Sequence, residues 1–175
     1  MDEIRFVNSF TRDKNTAKEI YGWWFYKRPL FVAFYVIMAF YLLSFVLGMI
    51  ISPEGAIRDL PVAAFILFGI FLFSFSYFSQ VRAMIRRDAE MSGGKELVST
   101  VTITDSEAAV TSFDSRTAIA FENLKYAFAT KNYIVLVTKA RLMIILKKDS
   151  FTVGDLDGFV AFLQAKGIKV KGKKK

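Results

Sequence analysis

The sequence predicts an α+β membrane protein: a two-helix transmembrane hairpin joined to a small antiparallel β domain that one C-terminal helix closes. Three observations predict it. Two apolar runs, Leu30 to Ile51 and Leu60 to Ser79, contain no Asp, Glu, Lys or Arg. From Leu97 onward, short runs rich in β-favouring side chains alternate with turn residues. Near the end, Leu156, Phe159, Val160 and Leu163 return to the spacing of one helical face.

The elements follow in order. Residues 1–29 read as a strand over Glu3 to Phe10 and a juxtamembrane helix between Thr11 and Lys27. Tyr21, Trp23, Trp24 and Tyr26, beside Lys27 and Arg28, have the amphipathic rings and cations that favour the headgroup zone. Packing against the β domain is the competing role for the tryptophans. The hairpin occupies 30–79. Its first run spans about 33 Å as a helix, against a hydrocarbon core roughly 30 Å thick. A buried soluble helix would need a polar face, and this run has none. It is also too long for a signal-peptide core and lacks a small-residue cleavage pattern, so it is expected to stay in the mature chain. Pro29, Pro53 and Pro61 are read as end markers, with Asp59 as N-cap of the second span and Ser52 to Asp59 as a turning link. Ser44, Gly48 and Ser52 form a small-residue stripe at four-residue spacing, by chance or for close helix approach.

Residues 80–94 continue as a polar juxtamembrane helix, with Arg82, Arg86 and Arg87 expected at the membrane interface, ending at a Ser92-Gly93-Gly94 hinge. Within 95–165 six strands are expected: Val98–Thr104, Ala108–Phe113, Thr117–Phe121, Tyr126–Thr130, Tyr133–Thr138 and Leu142–Lys147. Thr152 with Asp155 resembles a capping box, and Gly167 a C-cap. Meandering strands before a final helix give the element order of a pleckstrin-homology-like sandwich or partial barrel. Lys166 to Lys175, with six lysines, is expected to be a disordered polylysine tail.

The net charge of +8 invites a nucleic-acid reading, but the basic excess flanks the apolar runs and fills the tail, leaving 96–165 near neutral. No nucleic-acid partner is expected. With no Cys and no His, thiol and imidazole chemistry, disulfides and the usual zinc ligands are excluded. No catalytic residue, metal ligand or cofactor is expected. The carboxylates of 96–165 fall mostly at predicted turns and caps. No ionisable group interrupts either run, which removes the usual mark of an ion pathway.

The segment Ile144-Ile145-Leu146-Lys147-Lys148-Asp149-Ser150-Phe151-Thr152, followed by Gly154, Phe159 and Leu163, resembles the C-terminal domain of the YcxB-like family of bacterial membrane proteins. The order ahead of it is similar too, including the aromatic-x-x-aliphatic step Phe121-Glu122-Asn123-Leu124. Many members carry Trp at the Phe121 position and Pro-Lys at Lys147-Lys148. The resemblance implies structural roles for Phe121, Leu124, Lys148, Phe151, Gly154 and Phe159, and no catalytic residue.

These readings converge on a membrane-anchored cytoplasmic docking module in the cell inner membrane, both termini cytoplasmic because Lys and Arg flank the hairpin on that side. The expected partners are the lipid bilayer and a membrane protein or a second copy; a small-molecule ligand stays unspecified. Lys171, Lys173, Lys174 and Lys175 are expected near anionic headgroups. A pore component, or an enzyme with a carboxylate-based site, is the alternative.

Overall fold

The computed structural model describes residues 3–27, 29–93, 96–112 and 115–172. The fold is α+β and divides into two compact units, one of residues 1–20 with 84–175 and one of residues 21–83. The elements are β1 (Phe6–Arg12), α1 (Lys14–Tyr26), α2 (Pro29–Ile51), α3 (Pro53–Ser92), β2 (Leu97–Ile103), β3 (Glu107–Ser112), β4 (Ser115–Ala120), β5 (Leu124–Ala129), β6 (Tyr133–Thr138), β7 (Met143–Lys147), β8 (Phe151–Val153), α4 (Leu156–Ala165) and β9 (Val170–Gly172).

In the first unit the strands form two sheets, with no closed barrel. One has the order β4-β3-β2-β1-β8 and is antiparallel throughout; the other has the order β7-β6-β5-β9, in which β9 runs parallel to β5. The N-terminal strand lies inside the first sheet, pairing with β2 from Phe6↔Ile103 to Arg12↔Leu97. Alternation explains the burial: Leu97, Ser99, Val101 and Ile103 of β2 turn inward. Val101, Ile103, Leu136, Leu146, Phe159 and Leu163 belong to one core cluster. Every residue of β6 is buried because both faces are covered. Ile134 and Leu136 join that cluster, while Tyr133, on the opposite face, bonds Thr16 of α1.

Helix α4 closes the core with Phe159, Val160 and Leu163. Its N-cap is Asp155, which accepts from Gly158 N at 2.7 Å. Its C-terminus is a Schellman turn: Gly167 at φ +74 and Ile168 donate back to Gln164 O and Leu163 O, each at 2.9 Å.

The second unit holds an antiparallel helix pair. Phe31 meets Phe73 at 4.9 Å between centroids, and nearer the bend Gly48 faces Ala56. Both α2 and α3 are long and apolar enough to cross a membrane. No residue of α2 is buried, and Leu30, Phe40 and Ile51 are among its exposed side chains.

Several expectations change. Ser52 alone separates α2 from α3, so the polar link Ser52 to Asp59 is largely the first turns of α3. Asp59 and Pro61 lie within that helix rather than at its start, and the 60–79 run and the polar helix after it form one 40-residue α3. Thr152 lies in β8 and its hydroxyl reaches Val7 O, so the capping-box reading is replaced by Asp155 alone. The N-terminal strand is shifted to Phe6–Arg12. The tail is not wholly without structure: Val170–Gly172 is a strand, whereas Lys173, Lys174 and Lys175 lie outside the described residues. The same holds for Arg28 and for Gly94 of the hinge.

Candidate functional site

The motif residues in the first unit build structure around one corner. Strand β7 ends at Lys147, and Lys148 then donates its backbone N to Asn132 O and its ammonium to Thr130 O, both at 2.8 Å. It clasps the β5–β6 turn. Phe151 packs on Phe159 in a tilted arrangement at 5.5 Å, and Phe159 also meets Phe6 at 5.4 Å, edge on. Gly154 sits at φ +73, where an added Cβ would overlap the Phe6 ring and lie 3.2 Å from Arg5 O. Only glycine fits that crossing. Phe121 opens a short 3-10 turn and packs on Phe162 at 5.4 Å, while Leu124, at the start of β5, is buried in the core.

A second group was not singled out in the sequence. Asn8 is fully buried, and its amide replaces a ladder rung between the two sheets: Nδ2 donates to Lys147 O at 2.7 Å and Lys147 N donates to Oδ1 at 3.0 Å. It covers the edge that β7 would otherwise leave bare. On the other side of the same turn, both oxygens of Glu19 accept from Asn132, N and Nδ2 each at 2.7 Å. Burial acts to raise the Glu19 carboxyl, but hydrogen bonds from Thr130, Asn132 and Lys131 outweigh it and hold the group below its ordinary range. Asp13 starts α1 by accepting Thr16 N at 2.7 Å. The signal available in sequence was a single amide, Asn8, between Val7 and Phe10 in a β-rich run.

A cleft of about 170 Å³ lies beside Arg12, Asp88 and Glu96. Arg12 and Asp88 pair at 3.6 Å with their side chains 16% and 18% exposed. Burial pushes the Arg12 guanidinium down, with Asp88 pulling the other way, and its Nε has no hydrogen-bond partner among the described residues. Three carboxylates, Asp13, Asp88 and Glu96, and two cations, Arg12 and Lys14, line it. Among the described residues no group of three His, Cys, Asp or Glu could hold a metal.

Sheet edges are the remaining chemistry. Strand β4 ends the first sheet, pairing with β3 from Glu107↔Ala120 to Ser112↔Ser115, and among the described residues no strand lies on its other side. Five of its six residues are exposed, and Arg116 is its one charge. It lacks the lysines, proline and bulge that usually guard an edge. At the opposite end β8 is only three residues long.

In the second unit Tyr26 is exposed and touches Tyr77 at 5.3 Å and Tyr35 at 6.0 Å, while Phe25 packs on Phe73 at 5.4 Å. Tyr21, Trp23 and Trp24 are half-buried and Lys27 is exposed. Arg82 of this unit is exposed, as are Arg86 and Arg87 of the first unit, where Arg86 pairs with Glu90 at 3.4 Å. Ser44, Gly48 and Ser52 line a groove of about 300 Å³ with Gly55, Ala56 and Asp59. The stripe thus faces the second helix of its own hairpin.

No protein-family model, curated protein or solved structure matches this chain.

Proposed function

We propose that the chain is a membrane-anchored docking module whose soluble unit offers the β4 edge to a protein held in the same bilayer. The observation that carries this reading is the unguarded six-residue edge of β4, which can accept a further strand by backbone hydrogen bonding. The anchor supports it. Chain 21–83, which contributes α2 and most of α3, is inserted between β1 and β2, so the soluble unit is tied to the apolar helices at two points of its sequence. Such tethering raises effective concentration toward a membrane-bound partner, so a modest interface suffices. A pleckstrin-homology-like assignment is supported by β1–β4 in one sheet, β5–β7 in the other and α4 after them. The YcxB-like resemblance belongs to the same proposal, as does a cytoplasmic placement in the inner membrane with the hairpin bend outside.

Photo-crosslinkable residues at Thr117 and at Lys139, an exposed turn position, test the docking edge in intact cells. Discrete adducts with a membrane protein, or with a second copy, are expected from Thr117 and not from Lys139. Equal labelling from both positions refutes the edge. Reporter fusions to the C-terminus test orientation, and an external signal overturns it.

A further inference from the structure

The second sheet carries an edge that is already occupied, by the chain's own end. After the Schellman turn, Ile168 is buried in the core cluster and the next residues run beside β5 in parallel, with Ala127↔Val170, Phe128↔Lys171 and Ala129↔Gly172. Ala127 N donates to Lys169 O at 2.9 Å. Lys171 places its ammonium 4.8 Å from the centre of the Tyr126 ring, a cation–π contact. Gly172 adopts φ +97, and a Cβ added there would overlap Ala129 O. The segment therefore fits β5 through an aliphatic-x-aliphatic-x-glycine pattern: Ile168 and Val170 turn toward the protein, Lys169 and Lys171 outward, and Gly172 lets the backbone close on Ala129.

The cover is short. Strand β9 has three residues against six in β5, and both Lys171 and Gly172 are exposed. A three-residue strand with exposed residues opens at far lower free energy than a core strand. Beneath it Ala127, Phe128 and Ala129 are buried, so the edge stays formed through β6 on its other side when the cover lifts.

We infer that the β5 edge is a docking groove for an extended, parallel partner segment of the pattern aliphatic-x-aliphatic-x-glycine, and that β9 is its built-in competitor. The inference deepens the docking reading and rests on it. The tail is a tethered ligand at high effective concentration, so a free segment of equal intrinsic fit binds the full chain weakly and gains when the tail is loosened. A partner anchored in the same bilayer meets that competition on equal terms.

The test uses the full chain in micelles and a fluorescent peptide with the sequence of residues 166–175. Gly172→Val in the chain loosens the competitor, so that Val170 and Ile168 vacate the two aliphatic sites more often. This variant is expected to bind the peptide at least tenfold more tightly than the wild-type chain does. A peptide carrying Gly172→Val, of identical charge, is expected to lose at least tenfold. A chain ending at Gly167 should bind the native peptide most tightly. Equal binding by wild-type and Gly172→Val chains overturns the inference, as does equal binding of the two peptides. Failure here with the Thr117 adducts intact removes the β5 groove alone; loss of those adducts with peptide competition intact removes the β4 edge.

Discussion

Replacing Asn8 with Ala should loosen the seam between the two sheets without touching the core cluster. The side chain is fully buried and supplies one donor and one acceptor to the backbone of Lys147, at 2.7 and 3.0 Å. Alanine leaves that N–H and C=O facing a gap. An unsatisfied buried backbone group costs about 1–3 kcal/mol, and Lys147 is half-buried, so the lower part of the range applies and the pair costs about 2–4 kcal/mol. At about 1.4 kcal/mol per factor of ten, local opening of 143–150 should become roughly 30- to 1,000-fold more frequent. Hydrogen exchange of the full chain in micelles reads this directly, with β3 as the internal reference. Asn8→Asp keeps an acceptor for Lys147 N but sets a carboxylate oxygen against Lys147 O, so it should be no better than alanine at neutral pH. A change under threefold in 143–150 refutes the bridging role.

Further outcomes follow from the same geometry. Gly154→Ala should destabilise the first unit by about 1–3 kcal/mol in urea unfolding, because the left-handed backbone and the Phe6 ring both oppose a Cβ; Gly93→Ala, at φ +56 with open space around it, should lose less, about 1 kcal/mol. Asp155→Ala should cost about 1 kcal/mol through the lost N-cap, whereas Thr152→Ala, whose exposed hydroxyl lies 3.4 Å from Val7 O, should cost a few tenths, roughly. Glu19→Gln tests a pH effect. Because folding lowers this carboxyl, its contribution is complete above the unfolded value of about 4.3 and disappears as pH falls through the folded value. The variant should therefore be less stable by about 1 kcal/mol at pH 7, a figure reduced for partial exposure, and the gap should shrink as pH falls below about 4.3 and through the lowered folded value. Persistence of the gap in acid would remove the carboxylate from the account.

Much of the β unit was legible because period-two alternation and paired turn residues survive in the local sequence. The expected strand at Tyr133–Thr138 matches β6 to the residue. The misreadings have particular causes. Pro61 looked like a helix start because soluble helices place proline there, yet α3 runs through it. The tail was weighed by its lysine count, while its alternation, Ile168 and Val170 against Lys169 and Lys171, carried the strand signal. Asn8 and Glu19 were illegible for a deeper reason. Their partners, Lys147 and Asn132, are more than a hundred residues away along the chain. Edge status is equally non-local, since β4 is open only because β1 and β8 fill the other end of its sheet.

The insertion of the helix pair between β1 and β2 also sets an order of assembly. Arg12 pairs with Leu97, so closing this hairpin as a flexible chain of about eighty residues costs roughly 2.7 kcal/mol more than closing one of about four. During synthesis β1 emerges early and waits for a neighbour until both apolar helices have been made. Contacts at that separation give the first unit a high contact order and slow formation. Pairing of the two helices would shorten the effective loop and would then act as a checkpoint for the sheet. A ribosome-bound chain halted before Leu97 leaves the tunnel should show β1 accessible to protease, and one extended past Lys147 should show it protected.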